Sequence, residues 1–479
     1  MVSVMKRDLS AKKGQLSVMK DRLSVKEHAL SLKIRRRKRK PKGDLRMEQS
    51  VKGRLLDGYD RTHDRNGVSG ERLAERLATL ASVGKTEDGG VDRPGFSEEE
   101  KRAKQQVVEW MRGAGMDVRM DGAGNVIGRL NGEAGGPAFV TGSHLDSVPN
   151  GGNFDGPLGV LSSLEMVEAW RETGYVPPVP VEVVVFSEEE GSRFGAGVMG
   201  SRAMTGKIGD GELDGLMDFA GRTFREVIGT YGSTPEEFLA AARRPDEIGF
   251  YTELHIEQGK LLEQADLPAG IVKGIAGLAG LHIVFRGEAG HAGNTPMIGR
   301  RDPIVAAGRF VHDVSTLPSE IGDTAVATVG KLTVSPNGSN VIPGQVELTV
   351  DIRDLDKEKR DALVLKVRET AERCAEEQDA EIAISQLSSV DPAPVSDEIR
   401  DELRDVFMEE GIEPMELMSG AGHDAMNFAP MAMIFVRSQG GISHNPAEWT
   451  DLNDCVMGVH LLKRFAERRM EKMARANED

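Results

Sequence analysis

The chain has 479 residues, of which 39% are hydrophobic and 29% are charged, a composition typical of globular proteins. No uncharged apolar run reaches the roughly 18 to 20 residues that a bilayer-spanning helix needs, which excludes a transmembrane protein. Because Cys374 and Cys455 are the only cysteines, a disulfide framework and a cysteine zinc module are also excluded, and we expect a cytoplasmic location.

The net charge of −16 conceals a basic N-terminal segment, because residues 1–46 carry +12 and the remainder carries −28. A Leu-Ser motif recurs there at intervals of seven, but its apolar residues lie two apart and form no coiled-coil seam. We interpret residues 1–46 as a basic, disordered extension. Weak contacts with nucleic acid are expected only there, since the acidic remainder repels a polyanion.

From about residue 70, hydrophobic periodicity predicts alternating helices and strands. The predicted helices cover residues 71–83 and 96–111, and the predicted strands cover residues 138–142 and 181–186. A further helix between these strands has Val160, Leu164 and Val167 on one face. Such alternation predicts an α/β protein with a mostly parallel sheet.

After residue 274 the pattern predicts a separate α+β unit. Its predicted strands and helices cover residues 281–285, 303–314, 325–334, 345–353 and 356–377. From about residue 391 the alternation resumes, with a buried strand predicted at residues 431–436. We therefore expect a first domain in two parts, residues 47–273 and 390–479, with residues 274–389 inserted between them.

Polar residues follow the predicted strand at 138–142, where an open α/β sheet places its site. His144 and Asp146 project to the same side of an extended chain, so one can be a ligand and the other can hold its ring or bind nearby. Asp155 lies in a glycine-rich segment that presents a carboxylate. Considered alone, Asp155 is equally well explained as a turn residue or a helix cap.

Three consecutive glutamates, Glu188, Glu189 and Glu190, follow the strand at 181–186. Several anions at the end of a buried strand are costly unless cations neutralise them or one carboxyl has a raised pKa. His255 and His444 add two imidazoles to His144. Imidazoles and carboxylates without a thiol favour Zn, Mn, Co or Ni.

Nine motifs in a fixed order carry a specific resemblance across about residues 70–465. They are His144-x-Asp146, Asp155 in Asn-Phe-Asp-Gly, Glu189-Glu190-Gly-Ser-Arg-Phe, His255-Ile-Glu-Gln-Gly, Gly-His291-Ala-Gly, Asn340-Val-Ile-Pro, Asp351-Ile-Arg353, Gly-Ala-Gly-His423-Asp424 and Ser-His444-Asn-Pro. Together they resemble the amidohydrolase branch of the dinuclear-metal M20 peptidase superfamily, which contains enzymes for allantoate, N-carbamoyl-L-amino acids and ureidopropionate. The resemblance implies a metallopeptidase-like catalytic domain with an inserted lid or dimerisation domain.

The resemblance also implies two divalent metal ions per subunit, bridged by Asp155, with Glu189 as the general base. The other implied ligands are His144 and His255 for one metal and Glu190 and His444 for the second. Because Glu188 extends the glutamate run, the register is ambiguous, and the Gly-Ser-Arg-Phe that follows favours this alignment. Two metals and a base suit a ureido carbonyl, which is a poor electrophile.

Further residues are expected to bind the substrate. His291 would donate to the developing oxyanion, Asn340 and Gln258 would fix polar groups, and Arg353 would bind a carboxylate with its two-pronged guanidinium. The alternative for Arg353 is a strand salt bridge with Asp351 or Asp354. Three residues are expected near the metals without an assigned role: Asp146, His423 and Asp424.

The expected function is metal-dependent hydrolysis of a linear carbon–nitrogen bond in an N-carbamoyl amino acid or in allantoate, with release of ammonia. The expected partners are a small ureido substrate with a carboxylate and a second copy of the chain, in whose site His291 would act. One alternative is an aminopeptidase or dipeptidase of the same superfamily, against which the resemblance around His255 argues. A second alternative is a metal-binding scaffold without turnover.

Overall fold

The computed structural model describes residues 50–209 and 211–476. The predictions for residues 1–46, including weak contacts with nucleic acid, lie outside the described residues. None of the helices in the described ranges is both long enough and apolar enough to cross a membrane.

Within the described ranges, the strands form two main sheets and one short ribbon. In chain order they are β1 (Asp117–Met120), β2 (Val126–Leu130), β3 (Ala138–His144), β4 (Val181–Phe186), β5 (Ile248–Ile256), β6 (Ala269–Ile275), β7 (Gly277–Arg286), β8 (Gly290–His291), β9 (Val326–Ser335), β10 (Val341–Ile342), β11 (Gln345–Asp354), β12 (Glu381–Val390), β13 (Ala393–Pro394), β14 (Glu416–Ser419) and β15 (Met431–Val436).

Helices cover the sheets and connect their strands. The α-helices are α1 (Val51–Leu56), α2 (Gly70–Ala81), α3 (Glu98–Gly113), α4 (Pro157–Thr173), α5 (Met199–Met204), α6 (Phe224–Tyr231), α7 (Pro235–Leu239), α8 (Leu261–Ala265), α9 (Pro303–Val314), α10 (Pro318–Ile321), α11 (Lys357–Glu376), α12 (Asp397–Glu409) and α13 (Leu452–Ala476). Single 3₁₀ turns lie at Arg61–His63, Glu212–Gly215, Pro245–Glu247, Asp424–Asn427 and Gln439–Gly441.

The larger sheet has the order β1-β2-β4-β3-β5-β15-β6-β13, and β14 pairs with β6. Its central strands β4, β3, β5 and β15 are all parallel, so their carboxyl ends lie at one edge. Antiparallel pairs flank this centre on both sides. The prediction of a mixed α/β fold with a mostly parallel central sheet is confirmed.

Burial on both faces explains the apolar runs of the central strands. Every residue of β4 and β15 is buried. Helix α4 packs on β3 and on α13, which in turn packs on β15. Parallel strands with both faces covered read as continuous hydrophobic segments, and the sequence predicts β4 and β15 with their observed boundaries for this reason.

The second main sheet is antiparallel and has the order β12-β7-β11-β9. Helices α9 and α11 cover one face of it and share a core with residues such as Phe285, Leu348, Phe310 and Leu363. Burial alternates along β11, so Arg353 lies on the face opposite its buried neighbour Ile352. That opposite face supplies one wall of the cavity described below.

Candidate metal centre

One carboxylate, that of Asp155, lies among three imidazoles at the carboxyl edge of the parallel strands. Its Oδ1 atom is 3.5 Å from Nε2 of His144 and 3.2 Å from Nε2 of His255. Its Oδ2 atom is 3.5 Å from Nε2 of His444. His144 ends β3, His255 lies near the end of β5, and His444 follows β15. The parallel order of these strands therefore gathers the three rings.

The charges of this cluster shift one another's titration. Burial alone would raise the pKa of Asp155, but the imidazoles, His255 foremost, hold it well below its usual range. Burial disfavours charge on His144 as well, yet nearby carboxylates, led by Glu189, raise its pKa well above the ordinary value. Hydrogen bonds to carboxylates, first that of Asp155, raise the pKa of His444 to about 10. The carboxylates of the cluster thus favour positive charge among them, which either protons on the imidazoles or bound cations can supply.

Two of these ring nitrogens, Nε2 of His144 and Nε2 of His255, are buried and have no hydrogen-bond partner in the part of the chain that the structure describes. Such atoms are rare in folded proteins and indicate a place where an ion or another ligand can bind. Potential ligand atoms lie within 4.8 Å of one another in two groups that share Asp155. The first group is His144, Asp155 and His255, and the second is Asp155, Glu190 and His444. These nitrogen and oxygen donors fit a pair of divalent transition metals.

The three consecutive glutamates contact different groups. Oε2 of Glu189 is 3.7 Å from Nε2 of His144, and Oε2 of Glu190 is 3.3 Å from Nε2 of His444. Glu188 is fully buried, and its backbone has a φ of +50°. Burial, followed by the negative charge of Asp424, raises the pKa of Glu189 well above its usual range, although His144 opposes the shift. Glu189 and Glu190 therefore face different imidazoles.

Asp146, which the sequence predicts to hold the ring of His144 or to bind nearby, also holds the turn that carries Glu189 and Glu190. Its carboxylate accepts the backbone N–H groups of Glu189 and Glu190 at 3.2 and 3.1 Å. Nδ1 of His144 lies 3.0 Å from the carbonyl oxygen of Asp146 and 3.6 Å from its Oδ1. Orientation of a ligand's ring by the atom behind it is common at metal sites.

Three further side chains support Asp155, and sequence reasoning missed two of them, Ser443 and Glu448. Oδ2 of Asp155 accepts hydrogen bonds from Nε2 of Gln258 and Oγ of Ser443, both at 2.7 Å. The buried carboxylate of Glu448 accepts the N–H groups of Phe154 and Asp155 at 2.8 and 3.1 Å. Ser443 precedes His444 in a recognised motif, but Glu448 lies in no recognisable pattern. Gln258, expected to bind substrate, thus contacts Asp155 directly.

His423 lies beside His255, and the buried Asp424 follows it in the chain. The rings of His423 and His255 meet edge to face at a centroid distance of 4.4 Å. Nε2 of His423 is 2.9 Å from Oγ of Ser419, and burial holds the pKa of His423 well below its usual range. Burial and the neighbouring Glu253 raise the pKa of Asp424 well above its ordinary value. Glu253, also missed by sequence reasoning, forms a third potential ligand group with His255 and His423.

The cluster opens into a cavity of about 1060 Å³. Gln258 and Arg353 line it together with Glu189, Glu190 and the loop at residues 195–198. Arg353 also pairs with Asp351 through two contacts of 2.7 and 2.9 Å. The salt bridge that was the alternative for Arg353 is therefore present, and the guanidinium nevertheless faces the cavity.

His291 and Asn340 lie elsewhere. They are brought together by the ribbon of β8 and β10, in which His291 pairs with Val341. Both are exposed, and Nδ1 of His291 accepts the N–H groups of Gly293 and Asn294 at 3.1 Å each. Among the described residues, neither belongs to those that line the cavity of the same chain.

A parallel sheet whose carboxyl edge gathers a shared carboxylate, imidazoles and glutamates is an arrangement suited to metal-dependent hydrolysis. Residues 140–468 match the model of peptidase family M20/M25/M40. The chain belongs to this family, as the order of its motifs predicts.

Comparison with individual proteins shows which members of the family this chain is similar to. The chain is 44% identical over 399 residues to an N-carbamoyl-L-amino acid amidohydrolase of Geobacillus stearothermophilus, covering 82% of this chain and 97% of the relative. It is 36% identical to an allantoate amidohydrolase of Escherichia coli, covering 82% of this chain and 96% of the relative. Among solved structures, a hydantoinase/carbamoylase family amidase from Burkholderia multivorans has a TM-score of 0.77 at 34% identity, covering 84% and 98% of the two chains.

The close approach of Gly156 to His144 gives a test of the candidate metal centre. A Cβ at Gly156 would lie 2.5 Å from the His144 ring, and the φ of Gly156 is +82°. We expect Gly156→Ala to displace the ring and weaken binding of Zn²⁺ or Mn²⁺ about 10- to 100-fold, as loss of ligand orientation does. The measurement is competition with a chromophoric chelator.

Gly174→Ala is the matched control, because Gly174 has a φ of +72° at the other end of α4 and no atom within 4 Å of its Cβ position. Both variants place a Cβ at positive φ, and the backbone cost is larger at Gly156, whose ψ of −59° lies outside the left-handed helical region, than at Gly174, whose ψ is +19°. Thermal unfolding of both variants therefore accompanies the affinity measurement. Equal metal affinities in the two variants would contradict the role of His144 as a ligand.

Proposed function

We propose that this protein hydrolyses a linear carbon–nitrogen bond in an N-carbamoyl amino acid or in allantoate and releases ammonia. The observation that carries the proposal is the Asp155 carboxylate, shared by two potential ligand groups at the edge of a large cavity. Relatives of 44% and 36% identity that are named for these two substrate classes support it. The proposed substrate is a small ureido compound with a carboxylate.

In this proposal, His144, Asp155 and His255 hold one divalent ion, and Asp155, Glu190 and His444 hold the other. Zn, Mn, Co and Ni all suit such ligands. When bound, two such ions supply Lewis acidity, which polarises a carbonyl and acidifies water. The buried ring nitrogens without hydrogen bonds support this assignment.

Glu189 is the proposed general base. Its Oε2 atom lies 3.7 Å from Nε2 of His144, and burial raises the pKa of Glu189, which makes its carboxylate a stronger base. The carboxylate would take a proton from the attacking water and deliver it to the departing nitrogen. Asp146 would hold Glu189 in place through the backbone N–H.

Arg353 is the proposed partner of the substrate carboxylate. Its guanidinium lines the cavity, and a planar guanidinium can bind a carboxylate through two parallel hydrogen bonds. Asp351 already occupies part of that fork. The substrate would therefore bind the remaining N–H groups or displace Asp351, and Gln258 would act through Asp155 rather than through the substrate.

A panel of substrates tests this function. We expect ammonia release from N-carbamoyl-L-amino acids or allantoate in the presence of Mn²⁺, Zn²⁺, Co²⁺ or Ni²⁺, and little cleavage of dipeptides with the same side chains. The N-carbamoyl-D-amino acids are the matched controls, because they differ from the L compounds only in configuration, so a difference in ammonia release between the two measures recognition by the site. Cleavage of dipeptides without ammonia release from any ureido compound would support the peptidase alternative, and absence of turnover on all of them would support a binding scaffold.

Substitutions separate the base from the ligands. Glu189→Gln is expected to retain its metals while kcat falls about 10²- to 10⁴-fold, the usual loss on removal of a general base. Asp155→Ala is expected to lose metal and activity together. Metal content by elemental analysis and kcat on the same samples check both. If Glu189→Gln loses metal instead, the roles of Glu189 and Glu190 are reversed.

We further propose a homodimer in which residues 274–389 form the inserted lid or dimerisation domain, between catalytic parts at residues 47–273 and 390–479. The position of His291 and Asn340 supports it, because neither lines the cavity of its own chain in the described structure. In a dimer, His291 would donate to the oxyanion in the partner's site. The proposed location is the cytoplasm, in keeping with free, buried Cys374 and Cys455.

Mixing two inactive variants tests whether His291 acts across the dimer. A heterodimer of His291→Ala and Glu189→Gln would contain one site with both lesions and one with neither. Random pairing should then restore up to about a quarter of wild-type activity. If His291 acts in its own chain, every site carries a lesion, and no activity returns even when subunit exchange is verified with differently tagged chains.

A further inference from the structure

Glu188 is a buried carboxylate that the proposed chemistry does not use. Its side chain has no exposed surface, its backbone has a φ of +50°, and its carboxylate contacts Arg193 and Phe194. Burial and the charge of Asp146 raise its pKa to about 8. A carboxyl group placed there costs folding free energy, so its hydrogen bonds indicate what it contributes.

The carboxylate of Glu188 closes the loop that follows it. Its Oε1 atom accepts the backbone N–H groups of Arg193 and Phe194 at 2.9 and 3.2 Å. Its Oε2 atom has no hydrogen-bond partner among the described residues and fills the space beside Gly95, where a Cβ would lie 1.9 Å from it. The space between Gly95 and the loop at residues 193–194 is therefore filled by the Glu188 side chain.

The same loop is tied to the backbone of the glutamate run. The N–H of Val198 donates to the carbonyl oxygen of Glu189 at 2.8 Å, and the N–H of Met199 donates to that of Glu188 at 3.1 Å. Residues 195–198 line the cavity beside Glu189 and Glu190. The turn that carries the base and the wall of the cavity are thus parts of one hydrogen-bonded unit.

We propose that Glu188 is a positioning residue, whose carboxylate oxygen clamps residues 193–198 onto the turn that carries Glu189 and Glu190. It thereby sets the direction of the base and the shape of the adjacent cavity wall. The inference rests on the proposed function for its catalytic consequence, whereas the clamp itself can be measured without any substrate.

Two substitutions isolate the accepting oxygen. Glu188→Gln keeps an oxygen for both N–H groups and replaces only Oε2, which makes no hydrogen bond in the described structure. Glu188→Ala removes the acceptor. Asp356→Ala is the matched control, because Asp356 accepts two backbone N–H groups at 2.8 and 3.1 Å at the start of α11, outside the cavity.

Hydrogen exchange and kinetics of the metal-loaded enzyme are then compared at a temperature at which all variants are folded. In Glu188→Ala we expect faster exchange in peptides covering residues 189–199 and a kcat lowered about 10- to 100-fold, the cost of misplacing a catalytic group. Its metal content is expected to stay at the wild-type value. Glu188→Gln should recover most of the lost kcat and protection, and Asp356→Ala should change neither.

Three results would overturn the inference. They are unchanged exchange over residues 189–199 in Glu188→Ala, an equal loss of kcat in Glu188→Gln and Glu188→Ala, and an equal loss in Asp356→Ala. Failure of the proposed function is distinguishable, because the wild type would then release no ammonia from any ureido substrate. In that event the exchange measurement alone decides whether Glu188 clamps the loop.

Discussion

A carboxylate buried at the end of a parallel sheet is the constraint on which the rest of this site depends. Asp155 is 6% exposed, and burying an isolated anion costs several kcal/mol or more unless charge and hydrogen bonds compensate it. Three imidazoles and two side-chain donors provide that compensation here. They come from three separate segments, at residues 144, 255–258 and 443–444, so the position of Asp155 requires strands β3, β5 and β15 to be assembled side by side.

The parallel centre of the sheet explains how distant residues meet this carboxylate. Strands β3, β4, β5 and β15 end at the same edge, so residues at or after the strand ends converge although as many as 300 positions separate them, as in His144 and His444. Antiparallel neighbours would have alternated the ends between two edges. The buried apolar strands thus fix where the polar residues lie, and the loops after them determine which polar residues are presented.

Local sequence patterns predict three of the four parallel central strands, β3, β4 and β15. They predict few of the polar side chains that support Asp155. The boundaries of β4, β15 and α9 follow from hydrophobic periodicity, and the family and function class predicted from nine ordered motifs are confirmed. Strand β5 was missed because it contains buried Glu253 and His255, which break the apolar pattern. Glu448 reaches Asp155 from 293 positions away, a contact that no local pattern encodes. The roles of the ligands and of Glu189 stay predictions.

The uneven pKa shifts around Asp155 show how metal binding and folding are linked. The neighbouring imidazoles hold the pKa values of Asp155 and Asp146 below the ordinary value, whereas burial raises the pKa of Glu189, that of Glu188 to about 8 and that of Glu448 to about 7. Cations at the candidate metal centre would favour the charged forms of all these carboxyls and replace protons held by the imidazoles. Because the unfolded chain has no such assembled site, metal affinity adds to the free energy of unfolding and rises with pH as ligand protons are lost. Bound cations therefore explain why so many carboxyl groups are buried close together here better than independent structural contacts do.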